Sequence, residues 1–264
     1  MSYGSYHPVP ETMHCAMDVP AATSADFLAL ACRIMSTSAP RALREGADPD
    51  RQGADMTRRI LARTEREALA HSLERRGPTA PTLLPSWQAR DLLQHLLLRE
   101  RWPHLMALSY VPGHAGLWAQ RRLEERAALT WQQMVDLFRA GPPPLSPLLP
   151  VDARVNAAEH LVHHEDLLRA QPDWKPRSLS AQHQEEAWQV LRQMHRLLVR
   201  VPITLTLVAP QGSLRQRRRR EHSVRVHGDP VELLLWAFGR DDVCVQLHGS
   251  GSALDLLAQG RRGF

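Results

Sequence analysis

The sequence predicts an α+β protein in two parts, an up-and-down helical bundle over residues 56–200 and a small α+β domain over 201–264. Three observations predict it. From Met56 onward the chain is strongly helical in pattern, interrupted at glycine and proline. At Pro202 the pattern changes to short stretches rich in β-branched residues and bounded by turn formers. Residues 1–55 differ from both, mixing Pro, Ser, Ala and Met with no sustained period beyond a short apolar piece at 27–35. That segment is read as a disordered extension without chemistry, or as an upstream start with Met56 the native first residue.

Each element follows in order. A first helix is predicted over 57–76, ending at Gly77-Pro78. Ser86 is the expected N-cap of a second helix that carries Asp91 early and His95 in its interior, and that runs to Arg101 before Pro103. A third covers 131–140. Gly141-Pro-Pro-Pro144 and Pro147 then form a stiff connector, because proline runs resist helix and favour extended backbone. A fourth helix spans 152–170 and a fifth 181–200, with Pro172 between them. The second part reads as a strand at 203–208, a hairpin-like connection holding the arginine run, and a strand at 223–227. A helix at 230–238, a strand at 243–248 and a helix at 253–259 complete it.

Composition removes several classes of function. The three cysteines, Cys15, Cys32 and Cys244, are scattered, which argues against a disulfide framework or a cysteine-rich zinc site and fits a reducing cytoplasm. Cys244 is expected as a buried small apolar residue. No apolar run approaches the roughly 20 residues needed to span a bilayer, and no signal peptide is evident. The expectation is a cytoplasmic protein with no membrane partner.

The net charge of +5 invites a nucleic-acid reading. Its excess, however, sits in Arg215, Arg217, Arg218, Arg219 and Arg220, a local run without aromatic interleaving, and is expected to be a solvated loop rather than a nucleic-acid surface. Lys175 is the sole lysine, so the arginines reflect a compositional bias. Neither a Gly-x-Ser-x-Gly elbow nor a phosphate loop nor a dinucleotide fingerprint occurs.

The chemistry concentrates in Ala158-Glu-His-Leu-Val-His-His-Glu-Asp166. Glu159 and His163 are four apart, so on a helix a carboxylate oxygen and an imidazole nitrogen point the same way. Oxygen and nitrogen together suit zinc, and His95 on the second helix is the best third donor. At about 100° per residue, Val151, Val155, Ala158 and Val162 form the core stripe, with Glu159, His163 and Asp166 at its edge. His160 and His164 fall nearly opposite and are expected in solvent. Burying Glu159 and His163 beside the stripe requires a partner, either a metal or a plain salt bridge. Asp166 is placed to orient the His163 ring, and Asp91 to do the same for His95 or to serve as a fourth ligand.

Ser86-Trp-Gln-Ala-Arg-Asp-Leu-Leu-Gln-His95, the Pro-rich connector, and Glu159-x-x-x-His163 followed by Asp166-Leu together resemble the metal-binding domain of mycothiol-dependent maleylpyruvate isomerases, within the DinB-like four-helix superfamily. Glu232-Leu-Leu-Leu-Trp-Ala-Phe-Gly-Arg240 resembles the sterol-carrier-like domain that follows it there. The likeness covers about 56–258. It is strongest to an actinobacterial metal-binding branch with Arg-Glu-Arg after the first histidine, here Arg99 to Arg101, and His-His-Glu-Asp in the fourth helix.

The resemblance implies a zinc ion on His95, Glu159 and His163, with another divalent metal as the alternative. It implies a low-molecular-weight thiol, mycothiol, as nucleophile toward a small electrophile, in isomerisation or S-transfer. It also implies that Arg240 clamps a substrate carboxylate, while Arg99 and Arg101 read as helix-surface charge. Two other readings stay open, a metal-binding protein without catalysis and a small-ligand carrier.

Overall fold

The computed structural model describes residues 49–143, 149–217 and 222–263. In chain order the elements are α1 (Pro49–Arg76), α2 (Ala89–Arg101), α3 (Pro103–Ser109), α4 (His114–Ala127), α5 (Trp131–Ala140), α6 (Leu149–Arg169) and α7 (Ala181–Leu198). There follow β1 (Val199–Arg200), β2 (Thr204–Ala209), β3 (Gly212–Gln216), β4 (Ser223–His227), α8 (Pro230–Ala237), β5 (Gln246–Gly249), α9 (Gly251–Ala258) and β6 (Arg261–Arg262). The predicted α+β class holds: helices come first and a small sheet domain after. No helix among the described residues is long and apolar enough to cross a membrane.

The bundle core is built by α1, α2, α5 and α6, through Leu69, Leu73, Leu92, Leu93, Leu96, Met134, Phe138 and Leu167. Leucine spacing of three and four puts these side chains on one face of each helix, and each burial contributes about 1.5–3 kcal/mol. A second core joins Leu161 and Val162 of α6 to Trp188 and Leu191 of α7, to Leu205, Leu207, Val224 and Val226 of the sheet, and to Leu234 of α8. Helix α6 therefore packs on both sides, between bundle and sheet domain, and every residue from 158 to 167 is buried.

The main sheet has the order β3-β2-β4-β5, with β2 and β4 parallel and the other pairs antiparallel. Leu205, Leu207, Val224 and Val226 point to the helices, while Thr206, Arg215, Arg225 and His248 are neighbours across the strands on the other face. Strand β1 pairs with β6 and fastens the end of the chain beside α7.

Several boundaries differ from expectation for identifiable reasons. Helix α1 is already formed at Pro49, ahead of the predicted start at 57, so helix crosses the proposed boundary at residue 56. The piece at 27–35, Cys15 and Cys32 lie outside the described residues. Ser86 is not the cap of α2; it takes a positive φ of 65°, and Gln88 is the cap, its N–H donating to Asp91 Oδ2 at 2.9 Å. Helices α3 and α4 were not anticipated. Helix α2 ends at Arg101 as expected, and Pro103 then occupies the first turn of α3, where its missing N–H costs nothing.

Helix α6 is already formed at Leu149, and α7 stops at Leu198. Part of the arginine run belongs to a strand, Arg215 lying in β3, while Arg218 to Arg220 lie outside the described residues. Strand β5 begins only at Gln246 because the preceding segment is a turn, and Cys244 is exposed rather than buried, its N–H held by Glu232 Oε2 at 2.7 Å.

Candidate metal centre

His95 on α2 and Glu159 and His163 on α6 bring one potential ligand atom each within 4.8 Å of the others. Helix α2 delivers His95 because Leu92, Leu93 and Leu96 anchor its apolar face and leave residue 95 turned toward α6. On α6 the spacing of four stacks Glu159 over His163, and Glu159 Oε2 lies 3.3 Å from His163 Nε2. The His95 and His163 rings meet edge to face with centroids 5.5 Å apart, and Trp87 packs on His95 at 5.3 Å. Asp91 is exposed and engaged in capping, so it is not among the converging groups.

The second layer is more extensive than the sequence indicated. Asp166 Oδ2 accepts from His163 Nδ1 at 3.0 Å, which orients the ring and turns Nε2 toward Glu159 and His95. The same carboxylate accepts two bonds from Arg240, from Nε at 2.8 Å and from Nη2 at 2.6 Å. Arg240 is aimed by the end of α8. Gly239, at a φ of 88°, donates to Trp236 O at 3.0 Å, and the Arg240 N–H reaches back to Leu235 O at 3.1 Å. That pair of bonds is a Schellman ending, which only a left-handed residue completes without strain. Arg240 Nη1 donates to Phe238 O at 2.7 Å.

Arg99, expected as surface charge, is buried, with Nε 3.8 Å from Glu159 Oε2. Arg101 donates to the Gly141 carbonyl at the end of α5.

Electrostatics follow from this layout. Burial pushes His95 down to about 3, helped by His163 and Arg99 against Glu159, so the ring is neutral and its lone pair is free to coordinate. One edge of His95 nonetheless remains partly exposed. For Glu159, burial opposes the charge, but Arg99, His163 and His95 outweigh it and hold the carboxyl well below the usual range. Burial likewise opposes charge on His163, yet its bonds to Asp166 and Glu159 raise it above the ordinary value. The donor set of two imidazoles and one carboxylate, with a carboxylate orienting His163 from behind, fits a divalent ion such as zinc.

His160 and His164 are buried, against expectation. Leu161 and Val162 face the sheet domain, and the opposite face of α6, expected in water, packs on α1 and on Glu100 of α2. His160 Nε2 meets Glu100 Oε1 at 2.5 Å. His164 Nδ1 lies 2.7 Å from Glu65 Oε1 and its Nε2 2.8 Å from Ser72 Oγ. That Ser-His-Glu order imitates a hydrolytic relay, but Ser72 is buried inside a helix and Arg177 also binds Glu65, at 2.7 Å. It ties helices together. On the remaining side of α6, Arg169 binds Glu165 at 2.6 Å and both oxygens of Glu232 at 2.9 and 2.5 Å.

No family model matches the chain, and no curated protein matches its sequence. Among solved structures it is similar to the crystal structure of the mycothiol-dependent maleylpyruvate isomerase, at 15% identity and a TM-score of 0.49, over 73% of this chain and 92% of that one. A mutant of that isomerase gives 14% identity, the same TM-score and the same coverage.

Proposed function

We propose that this chain binds a divalent metal, zinc by donor preference, and uses it in a thiol-dependent isomerisation or transfer on a small electrophile. The observation that carries the reading is the convergence of His95, Glu159 and His163, three donors from two helices, with His95 held neutral and Glu159 held ionised. Three protein donors are the number found where a metal keeps a position open for chemistry. The sequence motifs bring in the thiol, of the mycothiol type. When bound, the metal would lower the pKa of a thiol or water beside it and make it nucleophilic.

The chain's own groups have distinct tasks. His95 and Glu159 supply donors from opposite helices. Asp166 holds the Nδ1 proton of His163 so that Nε2 faces inward. Arg99 keeps Glu159 ionised. Arg240 locks Asp166 with a two-toothed bond, so the sheet domain sets the orientation of a ligand in the bundle. Here it acts as a positioning residue, its fork already occupied by Asp166.

Metal-loaded protein incubated with a cis-enoyl carboxylate electrophile, with mycothiol, with glutathione and without thiol, tests the proposal. Substrate conversion that requires both metal and a thiol is the expected result. Metal binding with no thiol-dependent conversion across a panel of such electrophiles would instead support the non-catalytic reading.

A further inference from the structure

Among the described residues, five large apolar side chains stand well exposed, and four of them belong to one helical hairpin: Tyr110 (56%), Val111 (46%), Leu117 (55%) and Trp118 (50%). Helices α3 and α4 pack tightly on each other there, and Gly116 permits it, since a Cβ at that position would run into the Val111 carbonyl oxygen. The inner face of α4 is made of the small buried residues Gly116 and Ala119. At about 100° per residue, Leu117, Arg121, Glu124 and Ala128 fall on the opposite, outward stripe, and all four are exposed. Trp118, one residue on from Leu117, borders it, and Tyr110 is exposed at the end of α3.

We propose that the chain self-associates as a twofold dimer through this outer face of α4, the two helices running antiparallel. The charges choose the occupant. Arg122 and Arg126 already bind Glu125 within the chain, at 2.9 and 3.1 Å. Arg121 and Glu124 are on the outward stripe and form no such pair within the described chain. In a twofold contact, residue i meets j and j meets i. An antiparallel pairing centred between residues 122 and 123 sets Arg121 against the second copy's Glu124, twice by symmetry.

In the same register Leu117 meets Ala128, a large residue against a small one, and Trp118 closes the side. A surface that is its own charge complement fits a second copy better than an acidic or basic partner. Exposed ion pairs add little to affinity, so they fix the register while Leu117, Trp118 and Tyr110 supply the affinity. A 14-residue helix is about 21 Å long, so the contact sits at the small end of stable interfaces and yields a concentration-dependent dimer.

Sedimentation velocity on the full chain, over a concentration series from about 1 to 100 μM, tests this. The parent is expected to shift from monomer to dimer across the series. Leu117→Asp is expected to abolish the shift, and Arg121→Glu or Glu124→Arg alone to weaken it about tenfold through like-charge contact. The double variant Arg121→Glu with Glu124→Arg is expected to restore it, and melting temperatures of these exposed variants serve as the control for folding. A parent that stays monomeric overturns the proposal. So does a dimer indifferent to Leu117→Asp, or a double variant no better than either single one.

Discussion

One oxygen of Asp166 is shared between the two domains: Oδ2 lies 3.0 Å from His163 Nδ1 on the bundle helix and 2.6 Å from Arg240 Nη2 on the sheet domain. A candidate ligand is thereby oriented by a carboxylate whose own orientation depends on the far side of the interface. Asp166→Asn removes the charge behind His163 and disturbs its tautomer, so the affinity for zinc should fall by about 10–100-fold. Competition against a chromophoric chelator measures it.

Arg240→Lys keeps the charge and loses the fork, which is not a conservative change at a bidentate site. Zinc affinity should drop by less than for Asp166→Asn, and the melting temperature should fall with it. Unchanged zinc affinity together with a raised KM for a carboxylate substrate would return Arg240 to the role of a substrate clamp.

The metal-free protein and the metal complex should respond to pH in opposite directions. His163 is raised above its ordinary value: burial opposes its charge, but Asp166 and Glu159 outweigh burial. A raised imidazolium contributes stability that is present below the unfolded-state pKa and is lost as pH rises through the folded-state value. Zinc needs the neutral ring, so its affinity should increase over that same rise. Calorimetric titration and thermal melts of metal-free protein, between about pH 5.5 and 8.5, separate the two trends.

Glu65 sets a second window. Burial disfavours its charge, yet His164 and Arg177 bring it from 4.5 down to about 2. A depressed carboxyl contributes stability present above its unfolded pKa and lost as pH falls toward the folded value. On the order of 3 kcal/mol should disappear between those limits. Glu65→Gln should be less stable near neutrality and should flatten the acid limb of the melting-temperature profile.

Arg169 answers two buried carboxylates, Glu165 and Glu232, one from each domain. Arg169→Ala strands both charges and should cost about 3–5 kcal/mol in urea unfolding, since removing one partner of a buried pair is more damaging than replacing the whole set. A loss below about 1 kcal/mol would mean that water or Arg177 compensates.

The helical halves were readable where a single apolar face is buried. Trp131 to Ala140 matched residue for residue because Thr130, with Gln133, marks its start and Gly141 its end. The strand at Ser223–His227 matched because its alternation reflects one covered face. Helix α6 shows the limit of such reading. Its periodicity placed Ala158 and Val162 inside, where they are buried, but the face assigned to water is covered too, by α1 and by Glu100 of α2.

A helix enclosed on all sides carries polar groups on a buried face once another chain segment supplies partners, as Glu65 and Glu100 do here. Those partners are about 100 and 60 residues away, beyond any local pattern. Arg99 was misread for the same reason. The clustering of His95, Glu159 and His163 was legible because i to i+4 spacing is local and His95 is the one histidine of α2. The reach of Arg240 across the interface was not legible, because it depends on how Gly239 ends α8.

Metal stoichiometry tests the central claim most directly. Protein purified without added chelator should contain about one divalent ion per chain by elemental mass spectrometry, and His95→Ala and Glu159→Ala should each lose it while remaining folded. Metal absent from the parent after zinc is supplied, or retained by both variants, would contradict the assignment of His95, Glu159 and His163 as a metal centre.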